Sequence, residues 1–398
     1  MTGPVAGLPV WGTPEPLAAP GVLPLRADVV IVGGGITGVA LLDVLREEDI
    51  DAILLEREHV AAGASGRNAG FLLTGVAENY ARAAALHGRD IAAAVWEFTA
   101  ENHALTAAYA ARLNAGYRRR GSMTVALDGD EAASLAEAAT MLAEDGLAGE
   151  LVGPSDVPGG VAALFNATDG EVDPLRLVRG IATANAGRVF EHHPVLAVED
   201  GQNTAVVRLA RGAIEAVAVV LATNAWTSQL IPSVTIRPVR AQMLASAPVR
   251  GRIPVPVYAE WGHRYWRQRD DGVVLVGGFR HRAPAEEVGL DALPTRRLQH
   301  LLDGQLRELA VDAAVTHRWA GTMGFSDDGL PLVGLVPGCR RVHVCGGYTG
   351  HGMGFAVNAA TALSRRLIDS VPLPAWIDSA RTGALNRQPS SLSPRQGG

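Results

Sequence analysis

The 398-residue chain contains no lysine; all 35 of its Lys and Arg positions are arginine. No side-chain amine is available to form a Schiff base, which excludes pyridoxal chemistry anchored on this chain. Cysteine is nearly absent as well. Cys339 and Cys345 are too few for a disulfide framework, and their spacing matches no common zinc pattern, so no metal site is expected. A formal charge of −6 supplies no basic field of the kind that draws a protein to nucleic acid or anionic lipid. No run of 18 apolar residues is present to span a membrane, and no basic residue precedes Arg26 to begin a signal peptide. The expected location is therefore the cytoplasm, with no nucleic-acid or membrane partner.

What is present reads as a globular protein of two domains, with 48% hydrophobic and 19% charged residues. "DVVIV" (28–32) is a short buried-type strand, "GGGITG" a turn, and the helix that follows sets Val39, Leu42 and Leu45 on one side. "AILLE" (52–56) is the next strand, so the chain opens as a βαβ unit of a parallel sheet. Gly33 permits the tight turn, Gly35 lets the backbone approach a pyrophosphate, and Gly38 allows close packing of helix on strand. The amides at the helix start, around Ile36 and Thr37, face the phosphates. Glu56, eighteen residues after Gly38, is placed to accept from ribose hydroxyls. Its carboxylate would repel a 2′-phosphate, so the adjacent Arg57 does not indicate NADP, and a solvated position is expected for it.

This loop alone does not separate NAD from FAD; a second glycine run does. "CGGYTGHGMGF" (345–355) carries Gly346, Gly347, Gly350, Gly352 and Gly354, more than a strand-to-helix turn requires. Opening a helix at about Met353, it would offer backbone donors and a positive helix end to the pole of a flavin where charge gathers on reduction. Two loops then serve two ends of one FAD. His351 and Tyr348 in this turn are candidates for setting the protonation of a substrate or lining its pocket.

Other stretches are weaker signals. Aromatics make up 5% of the chain, yet "YAEWGHRYW" (258–266) holds Tyr258, Trp261, Tyr265 and Trp266, either core filling or an aromatic wall with Tyr265 or His263 at its polar edge. "EHHP" (191–194) reads as a strand edge rather than a chelate. "YRRRG" (117–121) reads as a solvated face. In the helix from Ile91, Asn102 interrupts the apolar stripe.

Taken in order, "ADVVIVGGGITGVAL", "LLEREHVAAGASGRNAGF", "VVLATNAW", "WAGTMGFSDDGLPLVG" and "CGGYTGHGMGFA" resemble the D-amino-acid oxidase superfamily of FAD-dependent amine oxidoreductases over nearly the whole chain. "GASGRNAG" and the Pro-rich arm with Trp11 are most similar to its gamma-glutamylputrescine oxidase subgroup. The resemblance implies an α/β protein with a discontinuous Rossmann-type FAD-binding domain, a parallel sheet with crossover helices, plus a substrate domain with an antiparallel sheet. The division expected is an arm over 1–25, FAD-binding segments 26–90, 150–235 and 330–380, substrate segments 91–149 and 236–329, and a disordered tail over 384–398. By resemblance, Ser65, Arg67, Asn68 and Gly70 lie along the pyrophosphate and flavin. Val195 meets adenine through its backbone, and Thr223, Asn224 and Trp226 border the nucleotide. Relatives that tether flavin use a Cys or His absent from the matched segments, so non-covalent FAD is implied.

Two departures shape the expected chemistry. Relatives acting on glycine or sarcosine hold the substrate carboxylate with an Arg in a "WAGLRP" type segment, where "WAGTMG" places Met323. The lysine some relatives use to activate oxygen has no counterpart. The expected reaction is hydride transfer to flavin from the carbon next to an amine nitrogen, giving an imine that hydrolyses, with O2 or another electron acceptor. An extended amine such as a polyamine derivative is expected as substrate unless Arg67, Arg264 or Arg280 restores a carboxylate anchor. The alternatives are a glycine, sarcosine or D-amino-acid oxidase or dehydrogenase, an NAD-dependent reductase, a flavin domain of an RNA-modifying enzyme, and a non-catalytic flavin-binding protein.

Overall fold

A computed structural model describes residues 5–18, 21–153, 159–251 and 253–385. Two sheets organise them. In the first, Arg26–Val32 lies between Ala52–Leu55 and Ala213–Leu221, all parallel, with Val30 opposite Ile53 on one side and Val219 on the other. These strands are fully buried where they are most Val/Ile/Leu-rich, as expected of a parallel sheet covered on both faces. Val189–Phe190 extends the sheet beyond Ala52–Leu55. Strand Ala213–Leu221 is shared on its other edge: its first half pairs antiparallel with Ala205–Leu209 and its last residues pair parallel with Val342–Gly346. The strands that carry the two glycine turns therefore end on either side of Ala213–Leu221.

Helix Ile36–Glu47 and helix Gly352–Asp369 pack together on this sheet, sharing a core that includes Val39, Leu42, Phe355 and Ala359. Asn102, on helix Arg89–Arg112, is fully buried and explains the break in that helix's apolar stripe. Its side-chain amide donates to the Met353 carbonyl at 2.8 Å, and its oxygen accepts from the Val357 and Asn358 amides at 3.0 and 3.1 Å. Asn102 thereby ties helix Arg89–Arg112 to the first turns of the second glycine helix, with its own buried amide satisfied at both ends.

The second sheet has nine strands in the order Val5–Ala6, Val315–Phe325, Arg237–Ser246, Val274–Gly278, Arg264–Gln268, Val257–Ala259, Ser122–Ala126, Ala162–Asn166 and Glu150–Val152. Its 237–278 portion is antiparallel, as the Pro and Gly punctuation implied. Two expected boundaries differ. Glu150–Val152 and Ala162–Asn166, placed by sequence with the FAD-binding segments, pair with this larger sheet through partners such as Ser122 and Asn166. Helix Arg89–Arg112, placed with the substrate segments, is bonded to the second glycine helix. Both assignments depend on long-range pairing that local pattern does not encode.

Strand Val189–Phe190 stops before "EHHP", and His192 sits in a turn at φ 61°. In "YRRRG", Arg119 and Arg120 are exposed as expected, but Arg118 is drawn in and pairs with Glu171 and Asp270. Residues 380–385 form a helix, and the remainder of the expected tail, 386–398, lies outside the described residues. Among the described residues no helix is long and apolar enough to cross a membrane, and no group of three or more His, Cys, Asp or Glu could hold a metal ion.

Candidate active site

One cavity of about 610 Å³ runs from Glu56, Arg57 and Val195 past both glycine turns to Tyr265 and His351. At its first end the chain geometry is that of a phosphate cradle. Gly33 leaves the strand at φ 113°, and a Cβ there would lie 2.7 Å from the Ala222 carbonyl oxygen. A Cβ on Gly35 would meet Ser65 Oγ at 2.9 Å. Ser65 Oγ in turn accepts from the Ile36 amide at 3.0 Å, marking where the helix end has a donor to give. Glu56 accepts from the amides of Gly34 at 2.7 Å and Glu58 at 2.8 Å. Burial raises its carboxyl above the usual value and these two amides pull it back.

Thr223, Asn224 and Trp226 also line this end. Asn224 Oδ1 accepts from the Gly347 amide at 2.9 Å, tying one turn to the other. Arg57 is exposed, as the sequence suggested, and its guanidinium lies 4.3 Å from the Trp226 ring centroid. Gly38, Gly70 and Gly347 do not line the cavity, although the sequence placed them with the cofactor. A Cβ on Gly38 would fall 2.0 Å from the Gly33 carbonyl oxygen, and one on Gly70 would fall 2.1 Å from that of Val172. Both are therefore demanded by close backbone approach.

At the other end, helix Gly352–Asp369 starts without a side-chain cap, leaving its first amides open to the cavity between Gly350 and Met353. Tyr258, Tyr265 and Phe71 form a wall: Phe71 lies 5.4 Å from Tyr258 and 6.1 Å from Tyr265 between ring centroids, and the two tyrosines lie 6.0 Å apart. Only half of the expected aromatic cluster takes part. Alternation along Arg264–Gln268 sends Trp266 to the opposite face, where it is 2% exposed in the core, and Trp261 lies beneath Arg82. Phe71 was not singled out by sequence; its position directly after "GRNAG" was the available signal.

His351 lies 6.0 Å from Tyr258. One ring nitrogen bonds the Thr349 carbonyl, while Nε2 is buried without a partner. Burial pushes its pKa down to about 4, so at neutral pH the imidazole is uncharged. Tyr265 is pushed up to about 12 by burial and stays protonated. Tyr348, a candidate for proton handling, has its hydroxyl 2.8 Å from Thr37 Oγ1 and its ring stacked on Phe355. It therefore lines the cavity, as one of the two expected roles had it, while its hydroxyl is engaged between the two glycine helices and not free for proton handling.

The three candidate anchors separate clearly. Arg67 is held by the carbonyls of Ala62, Gly7 and Ala320. Arg264 turns out of the cavity to Gln305 and Glu308. Arg280 lines the cavity and, among the described residues, makes no ion pair or side-chain hydrogen bond; its guanidinium lies 5.7 Å from the Phe325 ring centroid, and its charge acts on Tyr258, Tyr265 and His351.

A dinucleotide-sized cleft with two helix ends facing it fits FAD, and the family comparison decides the matter: residues 28–366 match the family model of the FAD dependent oxidoreductase domain. The chain belongs to this family. The chain is also 27% identical over 367 residues to gamma-glutamylputrescine oxidoreductase of Escherichia coli (strain K12), covering 86% of this chain and 83% of the relative. Among solved structures it is similar in fold to L-proline dehydrogenase from P. horikoshii, with a TM-score of 0.77 at 20% identity over 91% of this chain and 99% of the other. Glycine oxidase from Geobacillus kaustophilus has a TM-score of 0.75 at 20% identity, over 89% of this chain and 97% of that one. The chain is thus an FAD-dependent oxidoreductase with the α/β fold of this family.

Proposed function

We propose that this oxidoreductase acts on the C–H bond next to an amine nitrogen, in an extended amine that carries an anionic group away from the reacting carbon. When bound, the flavin supplies a two-electron acceptor for the hydride leaving that carbon. The nitrogen lone pair becomes the second bond of an imine, which water hydrolyses to a carbonyl compound and the free amine. The substrate must enter unprotonated for that lone pair to be available. Neutral His351 suits this, because its partnerless Nε2 can accept from an amine N–H, and the burial that keeps the imidazole uncharged disfavours an ammonium beside it in the same way. Phe71, Tyr258 and Tyr265 keep the site dry and give contact area to an alkyl chain.

The observation that carries the substrate class is the unpaired guanidinium of Arg280 in a cavity whose other two arginines are engaged. A bidentate partner for it is a carboxylate. Met323 still lines the cavity where relatives place an arginine, so the anchor enters from a different element, the short 3-10 turn Arg280–Arg282, and suits a different substrate shape. Neither cysteine lines the cavity, which supports non-covalent FAD. O2 is the proposed acceptor, read by peroxide formation.

Anaerobic mixing tests the reading. Flavin bleaching is followed with gamma-glutamylputrescine, putrescine, spermidine, sarcosine, glycine and a set of D-amino acids. The carboxylate-bearing polyamine should bleach fastest. Faster bleaching by glycine, sarcosine or a D-amino acid than by every polyamine would return the enzyme to amino-acid oxidation.

A further inference from the structure

We infer that the N-terminal arm is a fastener for the cofactor site and that Trp11 is a positioning residue for FAD, an inference that rests on the FAD reading of the cavity. The arm makes contacts at three places, and each leads to a different part of the cradle. At its start, Val5–Ala6 pairs in parallel with His317 and Arg318, and the Gly7 amide donates to the Arg318 carbonyl at 2.8 Å. The Gly7 carbonyl accepts from Arg67 Nη1 at 3.0 Å, and the same nitrogen reaches the Ala320 carbonyl at 3.0 Å. One guanidinium therefore joins the arm, the long strand of the nine-stranded sheet and the 62–70 loop.

Trp11 is the middle contact. Its Nε1–H donates to the Asn68 carbonyl at 2.9 Å, and the guanidinium groups of Arg267 and Arg269 lie 5.3 and 4.9 Å from its ring centroid. The ring packs against the cluster that holds Phe71, Leu73 and Met243, all of which line the cavity on their other side. Asn68 meanwhile holds the loop from within, its side chain donating to the Ala64 and Ser65 carbonyls and accepting from the Gly70 amide. Ser65 is the residue whose hydroxyl meets the helix amide at the phosphate end.

The last contact is Leu17, whose amide donates to Glu191 Oε2 at 3.1 Å; Arg179 pairs with Glu191 at 2.7 Å and also bonds the Glu15 carbonyl. Glu191 Oε1 accepts from the Val60 amide at 2.8 Å, and the next amide, Ala61, donates to the carbonyl of Gly34 in the glycine loop. The 60–70 loop has turns of its own, through the amides of Ala62, Gly66 and Arg67 and the side chain of Asn68, but the bonds that fix it against the rest of the molecule are long-range. The arm supplies several of these, and so limits the conformational freedom that FAD would otherwise have to remove on binding.

Because coupling is reciprocal, FAD must tighten the arm as much as the arm tightens FAD. The test uses the full chain and two readouts that do not involve turnover. The dissociation constant for FAD, from flavin fluorescence, should rise about tenfold or more in Trp11→Ala, which loses a hydrogen bond and a desolvated ring. Trp11→Phe keeps a ring and loses the Asn68 bond, and should fall between. In the wild type, hydrogen exchange at the Gly7 and Leu17 amides should slow on addition of FAD, an effect that a purely structural arm would not show. This exchange measurement carries the test if Trp11→Ala does not fold. A Trp11→Ala dissociation constant within about twofold of wild type, or arm exchange unchanged by FAD, would overturn the fastener. Failure of the wild type to bind FAD would overturn the cofactor reading and the fastener with it.

Discussion

Gly35 and Gly38 sit three residues apart in one loop, yet substitution should act on different properties. Gly38 is inside helix Ile36–Glu47, where a Cβ would be 2.0 Å from the Gly33 carbonyl oxygen and 3.3 Å from Leu54 Cδ1. Gly38→Ala must push helix and strand apart by about 1 Å, and overpacking of that kind costs about 1–3 kcal/mol. The apoprotein melting temperature should drop by a few °C. Gly35 is different. Its backbone, φ −81° and ψ −179°, is open to any residue, and an added Cβ meets only the rotatable Ser65 hydroxyl. Gly35→Val should therefore leave apoprotein stability within about 1 kcal/mol, the worth of the Ser65 hydrogen bond it displaces. The side chain would instead occupy the space into which a pyrophosphate must come, removing one or two charge-assisted hydrogen bonds, about 1.5–3 kcal/mol each and so roughly 100-fold in affinity. The assay is a thermal melt of each apoprotein beside an FAD titration. Stoichiometric flavin in purified Gly35→Val, or an unchanged melt for Gly38→Ala, would refute the reasoning.

Arg280→Met should weaken an amine substrate bearing a carboxylate by about 2–3 kcal/mol, roughly 100-fold in kcat/KM, while leaving putrescine within a few-fold; equal losses for both would show that Arg280 does not read charge. The pH dependence of stability has a definite sign. His351, like His103 and His263, is held near pKa 4 by burial against a value of 6.5 when exposed, so the unfolded chain takes up protons that the folded chain refuses. Stability from His351 is complete above about pH 6.5 and is lost as pH falls toward about 4, at up to about 1.4 kcal/mol per pH unit. Asp169, raised to about 6 by burial, acts in the opposite direction, so the useful quantity is the wild-type melt minus that of His351→Gln. A difference that is flat between pH 6.5 and 4 would contradict a buried neutral imidazole.

The parallel sheet and its first turn were legible because they are local: a buried strand, three spaced glycines and an acid on the next strand each carry their meaning within about thirty residues. The wall was only half legible. Period-two alternation separates Tyr265 from Trp266, but sequence cannot say which face looks into the cavity and which into the core. Phe71 and the contacts of the arm went unread for the same reason, since their partners are distant in the chain.

By itself, then, the sequence determined the cofactor class, because dinucleotide recognition is built from backbone that glycine alone permits in a short segment. It also excluded lysine chemistry outright. Tertiary structure decided which arginine is free. Arg67, Arg264 and Arg280 are alike as residue types, and only long-range folding supplies three carbonyls to the first, Gln305 and Glu308 to the second, and an open cavity to the third. A side chain's charge is written in the chain, but whether that charge is already satisfied depends on neighbours brought together by pairing across both sheets.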